Sequence, residues 1–482
     1  MALIAACLGK RNRMLSNFIN RQVLREVLLF AFIGLVILTL IPFGSVTPFP
    51  FAFAAIAMFG LAIISALIFG EPRQSRWVFS SALLVLVVVT GWTFVQTIDM
   101  RSDWLANPAW RAARELAGVQ YAAISVEPAD TLASMLWVAL PFVTFLTGLL
   151  LCDTDQRARK VLIALGLSAG AIAVFGLLQF SMFPKILIVI EKHAYLDSLT
   201  AVFVNRNTAA TFLGLGTLLM LTLIRDITRA LAKYPPDEPG RNMLLVRSWI
   251  YILLLCACFT ALMLSRSRAG IFATFVAALI YFPWLVINWN GSTRHLRVAP
   301  RWRSMLKLFS AIGFVVVLLA VFAGQAILRA KERRLEDDQR FCMLPGIWRA
   351  ISDHWLTGTG LGTFRTVFPA YRDPACGILG VFDRAHNFYL EGFLGLGIVF
   401  PIATLVVFGV LAVVFRRGLA QRRRLRHYVL LGVAATVLVA LHAAVDFSLQ
   451  IPGFAVFFAA FLSAIVAISL GRSQPETDRQ YA

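Results

Sequence analysis

Apolar runs long enough to cross the ~30 Å hydrocarbon core of a bilayer recur from one end of this 482-residue chain to the other. They fall at 26–42, 49–70, 77–98, 131–152, 161–183, 205–224, 248–264, 269–288, 306–327, 388–415, 428–449 and 453–471. Backbone that crosses lipid must satisfy its own hydrogen bonds, so each run reads as a helix. The chain is expected to be an all-α, polytopic integral membrane protein with about twelve transmembrane helices. Composition agrees: 59% of residues are hydrophobic and 15% charged, against about 45–50% and about 25% in soluble domains. That bias overrides the several soluble domains suggested by length alone.

The net charge of +20 raises the question of nucleic acid, whose phosphates attract basic patches. The placement of the charges answers it. With the amino terminus inside, Lys10, Arg11, Arg13, Arg21 and Arg25 fall on one side of the membrane. So do the basic groups at 73–76, 157–160, 225–247, 294–307 and 416–426 and the tail. This is the positive-inside pattern. It predicts the bacterial inner (cytoplasmic) membrane with both termini cytoplasmic, anionic lipid headgroups as secondary partners, and no nucleic-acid partner. Ile4-Ala5-Ala6-Cys7 resembles a lipoprotein cleavage box, but almost no apolar run precedes it. The first span is therefore expected to remain as an anchor.

Three regions follow. Residues 1–200 carry spans 1–5 with an outside loop at 99–130. Residues 201–471 carry spans 6–12 and a large, partly helical outside loop at 328–387, between spans 9 and 10. Residues 472–482 form a cytoplasmic tail. The first loop holds Trp104, Trp110 and a helical stretch at Arg111–Leu116, and a loop at 184–204 holds Lys192 and His193. In the large loop, Phe341, Leu344, Trp348 and Ile351 share a helical face, Pro345 should start a new helix or kink this one, and Gly358, Gly360 and Gly362 should make the chain flexible. Cys342 and Cys376 are the cysteines expected outside. In an oxidising periplasm they would form a disulfide, closing a loop of about 35 residues for about 3–4 kcal/mol; the alternative is two unpaired thiols.

No span carries Lys, Arg, Asp or Glu near its middle, where an ion-coupled carrier would need one. Instead Arg206, Arg266, Arg268, Arg340, Arg384, His386, Glu391, His442 and Asp446 all fall at about the outer depth of the bilayer. Several guanidinium groups at that depth suit a phosphate or pyrophosphate headgroup, and an imidazole or carboxylate nearby suits proton removal from an attacking hydroxyl. There is no acidic pair at ligand spacing and no Cys/His array, so no metal and no cofactor is expected. Other readings stand beside these. Arg206 and Arg268 begin spans, where arginines also snorkel to headgroups. His386 in Ala385-His386-Asn387 could cap a helix, and His442 and Asp446, four apart, could pair with each other.

Five segments, in order, resemble the O-antigen ligase and O-antigen polymerase superfamily. They are Phe203-Val-Asn205-Arg206-Asn207, Leu264-Ser-Arg266-Ser-Arg268-Ala-Gly270, Asp353-His-Trp-Leu-Thr-Gly358-Thr-Gly360-Leu-Gly362-Thr-Phe364, Ala385-His386-Asn387-Phe-Tyr389-Leu390-Glu391 and His442-Ala-Ala-Val-Asp446-Phe447. They span roughly residues 200–455; the first two hundred residues match only in hydropathy. The resemblance implies an inverting, metal-independent glycosyltransferase. Its donor would be an undecaprenyl-diphosphate-linked glycan. Its acceptor would be lipid A–core for a ligase or a lipid-linked repeat unit for an O-antigen or exopolysaccharide polymerase. The family's diphosphate-holding arginines match Arg206, Arg268 and Arg340, and its loop histidine, proposed to orient or deprotonate the acceptor, matches His386. Asn205, Arg266, Arg384, Asn387, Glu391, His442 and Asp446 are supporting candidates. The family pattern carries a second Glu shortly after the one matching Glu391; here Gly395 stands at that place, which puts more weight on His386.

Two rivals come from other classes. A flippase or transporter of lipid-linked sugars would need a polar path through the bundle, and a non-catalytic subunit of a polysaccharide assembly complex would tolerate loss of His386 and the arginines.

Overall fold

The computed structural model describes residues 2–100, 104–232, 234–235, 238–287, 335–374 and 380–471. Side chains in the first helix are described from Arg21 onward, and in the helix that starts at Leu335 from Cys342 onward. The architecture is all-helical apart from one small hairpin. In order, the helices are α1 (Ala2–Leu40), α2 (Pro48–Phe69), α3 (Arg76–Val95), α4 (Ala109–Ala117), α5 (Pro128–Leu151) and α6 (Asp155–Met182). Two-residue strands β1 (Ile186–Leu187) and β2 (Ile190–Glu191) pair antiparallel. There follow α7 (Arg206–Leu231), α8 (Pro239–Leu264), α9 (Arg268–Ile287), α10 (Leu335–His354), α11 (Phe388–Leu396), α12 (Val399–Gln421), α13 (Arg426–Ala443) and α14 (Pro452–Leu470).

Local chemistry sets the helix starts. Pro48, Pro128, Pro239 and Pro452 stand in the first turn, where a missing amide hydrogen costs nothing. Thr154, Asn205 and Asn387 cap α6, α7 and α11 through their side-chain oxygens. α7 and α14 are buried on nearly all sides and form the axis of the bundle, while α2, α3, α8 and α12 keep most of their apolar surface outward, as lipid-facing helices do.

Ten helices among the described residues are long and apolar enough to cross a membrane, against the twelve expected. The protein is an integral membrane protein by that measure. The expected span 306–327 lies outside the described residues. The apolar part of α9, Arg268–Trp284, is shorter than the others. The expected span 388–415 is broken: Gly397, at φ 59°, ends α11, and a Cβ there would lie 2.4 Å from the Leu356 carbonyl oxygen. α11 is therefore a short separate helix, and the crossing begins at Val399. The last turns of the expected span 428–449 are likewise irregular, because α13 stops at Ala443.

The large loop also departs from expectation. Pro345 lies inside the single helix α10 instead of starting a new one. The buried face of α10 is Met343, Ile347, Ala350 and Ile351, whereas Trp348 is exposed. This face is turned one residue from the expected one because Ile347 and Ile351 pack with Phe364, Phe368 and Leu394. The Gly358–Gly362 segment is a buried joint and not a flexible stretch. Gly360 and Gly362 have φ of 102° and 84°, and a Cβ at Gly360 would meet Ser125 Oγ at 2.4 Å. Its backbone pairs on both sides: Thr359 N donates to Leu394 O (2.9 Å), Gly360 N to Gly395 O (3.1 Å), and Val126 N to Thr359 O (3.0 Å). The side-chain amide of Gln96, at the end of α3, donates to both Thr357 O and Gly395 O, each at 2.8 Å.

The bundle has two polar ends. At one, α1, α5, α6, α7, α12 and α13 are joined by ion pairs among Arg25, Glu26, Asp153, Arg157, Asp155, Arg422, Arg159 and Asp226. This is the ion-pair end. At the other gather the segments 96–100, 104–127, 183–205, 265–267, 355–374, 380–387 and 444–451; this is the loop end.

Candidate active site at the loop end

The site is built where α7, α9, α11 and α13 begin or end. Asn205 sits in extended backbone before α7, and its oxygen accepts from Asn207 N at 2.8 Å. α9 begins two residues after Arg266, which holds a left-handed φ of 53°. Such a backbone costs a non-glycine residue about 1–2 kcal/mol and persists only where its surroundings enforce it. Here the flanking serines enforce it: Ser265 Oγ donates to Leu262 O at 2.6 Å, and Ser267 Oγ donates to Asn207 Oδ1 at 2.8 Å. That last bond ties the starts of α7 and α9 together. Arg206 and Arg268, each the first residue of its helix, are thus neighbours of a bonded pair. Both helices direct their positive dipole ends to this spot, and amide donors there favour an anion.

Below them lies a buried polar network. Asp446 is fully buried and accepts from Asn207 Nδ2 at 3.0 Å, from Asn205 Nδ2 at 3.4 Å, and from Ser448 Oγ. Thr211 Oγ1 bonds to His442 Nδ1 and, at 3.0 Å, to Ser448 Oγ. His442 and Asp446 are linked through Thr211 and Ser448. A carboxylate removed from water needs such donors to offset its lost hydration. The network clamps α7 to the end of α13.

His386 stands on the next element. Its φ is 52°, again left-handed. Glu391, 7% exposed, holds the turn by accepting from Ala385 N at 2.8 Å and Arg384 Nη1 at 3.1 Å. Asn387 caps α11 by accepting from Tyr389 N and Leu390 N, both at 3.0 Å, and its own amide donates to Ala444 O at 2.7 Å. It is Asn387, and not His386, that caps the helix. The imidazole packs edge-on against Phe447, centroids 5.1 Å apart, one residue from Asp446. The structure thus brings Asn205, Arg206, Arg266, Arg268, His386, Asn387, His442 and Asp446 to one end of the bundle. Arg384 also belongs to it, with its guanidinium 5.7 Å over the Trp137 ring.

Arg340 is a residue of α10, but its side chain lies outside the described residues. Cys342 is disulfide-bonded; the expected partner, Cys376, lies outside the described residues. Asn207, Ser267, Thr211 and Ser448 escaped the sequence reading. The only available hints were the Asn-Arg-Asn and Ser-Arg-Ser-Arg repeats, which alternate polar residues with the arginines at two helix starts.

Residues 251–399 match the family model of the O-antigen ligase. Over that stretch, about a third of the chain, the sequence is similar to the O-antigen ligase family. This supports the resemblance to the O-antigen ligase and polymerase superfamily, and the matched stretch includes Arg266, Arg268, Arg340, Arg384, His386, Asn387 and Glu391. Asn205, Arg206, His442 and Asp446 lie outside the match; Asn207 and Phe447, beside Arg206 and Asp446 in sequence, contact Ser267 and His386 within it. No curated protein matches the chain. Within the matched stretch, α9 is fastened to α7 and α11 to the end of α13.

Proposed function

We propose that this chain transfers a glycan from an undecaprenyl-diphosphate carrier to a carbohydrate hydroxyl at the periplasmic face of the inner membrane, with inversion at the anomeric carbon. The matched O-antigen ligase domain supports ligase- or polymerase-type glycan transfer in general. One observation carries the finer reading: the Ser267–Asn207 bond sets the arginine-bearing starts of α7 and α9 side by side, next to the turn that holds His386.

The chemistry runs as follows. Arg206 and Arg268, with Arg340 from α10, neutralise the two phosphates, and the amide ends of α7 and α9 add to the field. The acceptor oxygen attacks the anomeric carbon from the face opposite the diphosphate. As that bond forms, the bond between the anomeric carbon and the phosphate oxygen breaks, and undecaprenyl diphosphate departs with the electron pair. His386 takes the acceptor's proton. Arginine stabilises the charge that grows on the leaving diphosphate, which is the interaction that lowers the barrier. The two candidate carboxylates, Glu391 and Asp446, are committed to the 384–385 turn and to α7. That leaves the imidazole as the base.

Purified protein in nanodiscs, given synthetic undecaprenyl-diphosphate glycan and either lipid A–core or a second lipid-linked repeat, tests the reading and separates ligase from polymerase by which acceptor is elongated. No transfer to either acceptor, with the protein folded and the donor bound, would refute it.

A further inference from the structure

The segment 195–199 covers the two arginines that flank the junction of α7 and α9. It is pinned at its far end, where Leu199 N donates to Leu264 O at 2.9 Å, and Lys192 Nζ donates to Ser198 O at 3.2 Å. Tyr195 has a left-handed φ of 57°, and its ring lies 5.1 Å from the Arg206 guanidinium carbon. Ser198 Oγ accepts from Arg206 Nη1 at 3.4 Å. Asp197 Oδ2 accepts from Arg266 Nη1 at 2.8 Å. One five-residue stretch thus occupies both Arg206 and Arg266.

The character of the Arg266–Asp197 pair is informative. Arg266 is 54% exposed and Asp197 35%. A pair so open to water is worth about 0–1 kcal/mol, so it is not what holds the loop. Yet Arg266 adopts a strained backbone between two serines that are both buried and bonded, which presents its side chain to Asp197 two residues from Arg268. A strained cation with a weakly held carboxylate, beside two helix amino ends, is the arrangement of an anion site whose place is kept by a protein carboxylate.

We infer that Arg266 is a further diphosphate-binding residue and that Asp197 is its placeholder: the lipid diphosphate displaces Asp197 from Arg266, and the 195–199 segment, with Tyr195 and Ser198, moves off Arg206 as the donor enters. This inference rests on the functional reading above. It adds a competing internal anion, so the donor's affinity reflects the difference between two partners for one guanidinium. The segment is a cover that the donor lifts.

The test is binding of undecaprenyl diphosphate, with undecaprenyl monophosphate as comparison, to the full chain in nanodiscs. Asp197→Asn should tighten diphosphate binding about two- to fivefold, the worth of an exposed ion pair. It should change monophosphate binding less. Arg266→Ala should weaken diphosphate binding about tenfold or more, as loss of a charge-assisted contact does. In the double variant the gain from Asp197→Asn should vanish, because the cation it frees is gone. Unchanged or weaker binding in Asp197→Asn, or unchanged binding in Arg266→Ala, would overturn the inference. Arg266→Ala alone suffices if Asp197→Asn fails to fold. Arg268→Ala separates the two levels: if it binds and transfers normally, the functional reading falls; if it is inactive while the Asp197 and Arg266 variants bind donor normally, only the placeholder falls.

Discussion

The two ends of the bundle solve opposite electrostatic problems. At the ion-pair end Glu26, Asp153, Asp155 and Asp226 are each matched by at least one cation. Arg157, 6% exposed, bonds to Glu26 at 2.9 Å, Asp153 at 2.6 Å and Gln22 at 2.7 Å. Asp226 takes Arg159 at 3.0 Å, His427 at 2.7 Å and the Tyr428 hydroxyl. At the loop end the central carboxylate, Asp446, is answered by neutral amides and a hydroxyl, and Arg206 has no carboxylate partner among the described residues. The strained backbones also concentrate there: Tyr195, Ala201, Arg266 and His386 are all left-handed. Matched charges fasten helices to one another. Arg206, held by neutral partners, and Arg266, on strained backbone and held by one partly exposed carboxylate, remain available to a ligand. One end is built for cohesion and the other for binding.

Substitutions can break or sharpen that contrast. The largest effect is expected from Arg268→Ala, which should abolish transfer while leaving membrane abundance unchanged, as assayed by donor consumption and immunoblot; Arg340→Ala should do the same. Arg268→Lys should rescue poorly, because a point charge cannot reproduce a two-pronged guanidinium contact. Full activity in Arg268→Ala would erase the distinction between the ends. His386→Asn comes next. Asn accepts left-handed backbone readily, so the turn should survive, while transfer falls about 10²–10⁴-fold for want of a base. Retention of activity would make His386 a conformational residue only.

Arg157→Ala should act oppositely. It leaves Glu26 to Lys160 alone and Asp153 to Arg25 alone and removes a buried guanidinium that joins them, so thermal stability should drop by about 1–3 kcal/mol, with specific activity per folded molecule kept. Comparable losses of activity and abundance would show that the two ends are not separable. The smallest expected effect on chemistry is from Gly360→Ala. Its φ of 102° and the 2.4 Å approach to Ser125 Oγ predict destabilisation of about 1–3 kcal/mol, visible as a lower melting temperature with the donor Kd unchanged.

Much of this was legible in the sequence, for physical reasons. Apolar length marks a crossing helix, and Pro48, Pro128 and Pro452 mark where helices can start. Asn205 and Asn387 precede helices as capping residues do. What was hidden depended on contacts between distant segments. Hydropathy runs without a break through 388–415, but the Leu356 carbonyl pressing on Gly397 splits it. The span expected to end near residue 224 continues to Leu231, because Arg225 lies over the Trp284 ring at 4.7 Å and Asp226 finds partners on α6 and α13. Three glycines within five residues read as freedom, yet the positive φ angles they permit are spent on a tight joint between α5 and α11. Arg206 and Arg268 were found as positions. Their neighbourhood was not, because it rests on a single serine–asparagine bond across sixty residues.

The joint between Gly360 and Gly395 bears on how this chain could be redesigned. The Gly395 carbonyl already serves Gly360 N and the Gln96 amide, and a Cβ at Gly395 would come within 3.2 Å of the Gly360 oxygen. Any side chain placed at that position would have to shift, by a few tenths of an ångström, the seam that joins the large loop to the first half of the molecule.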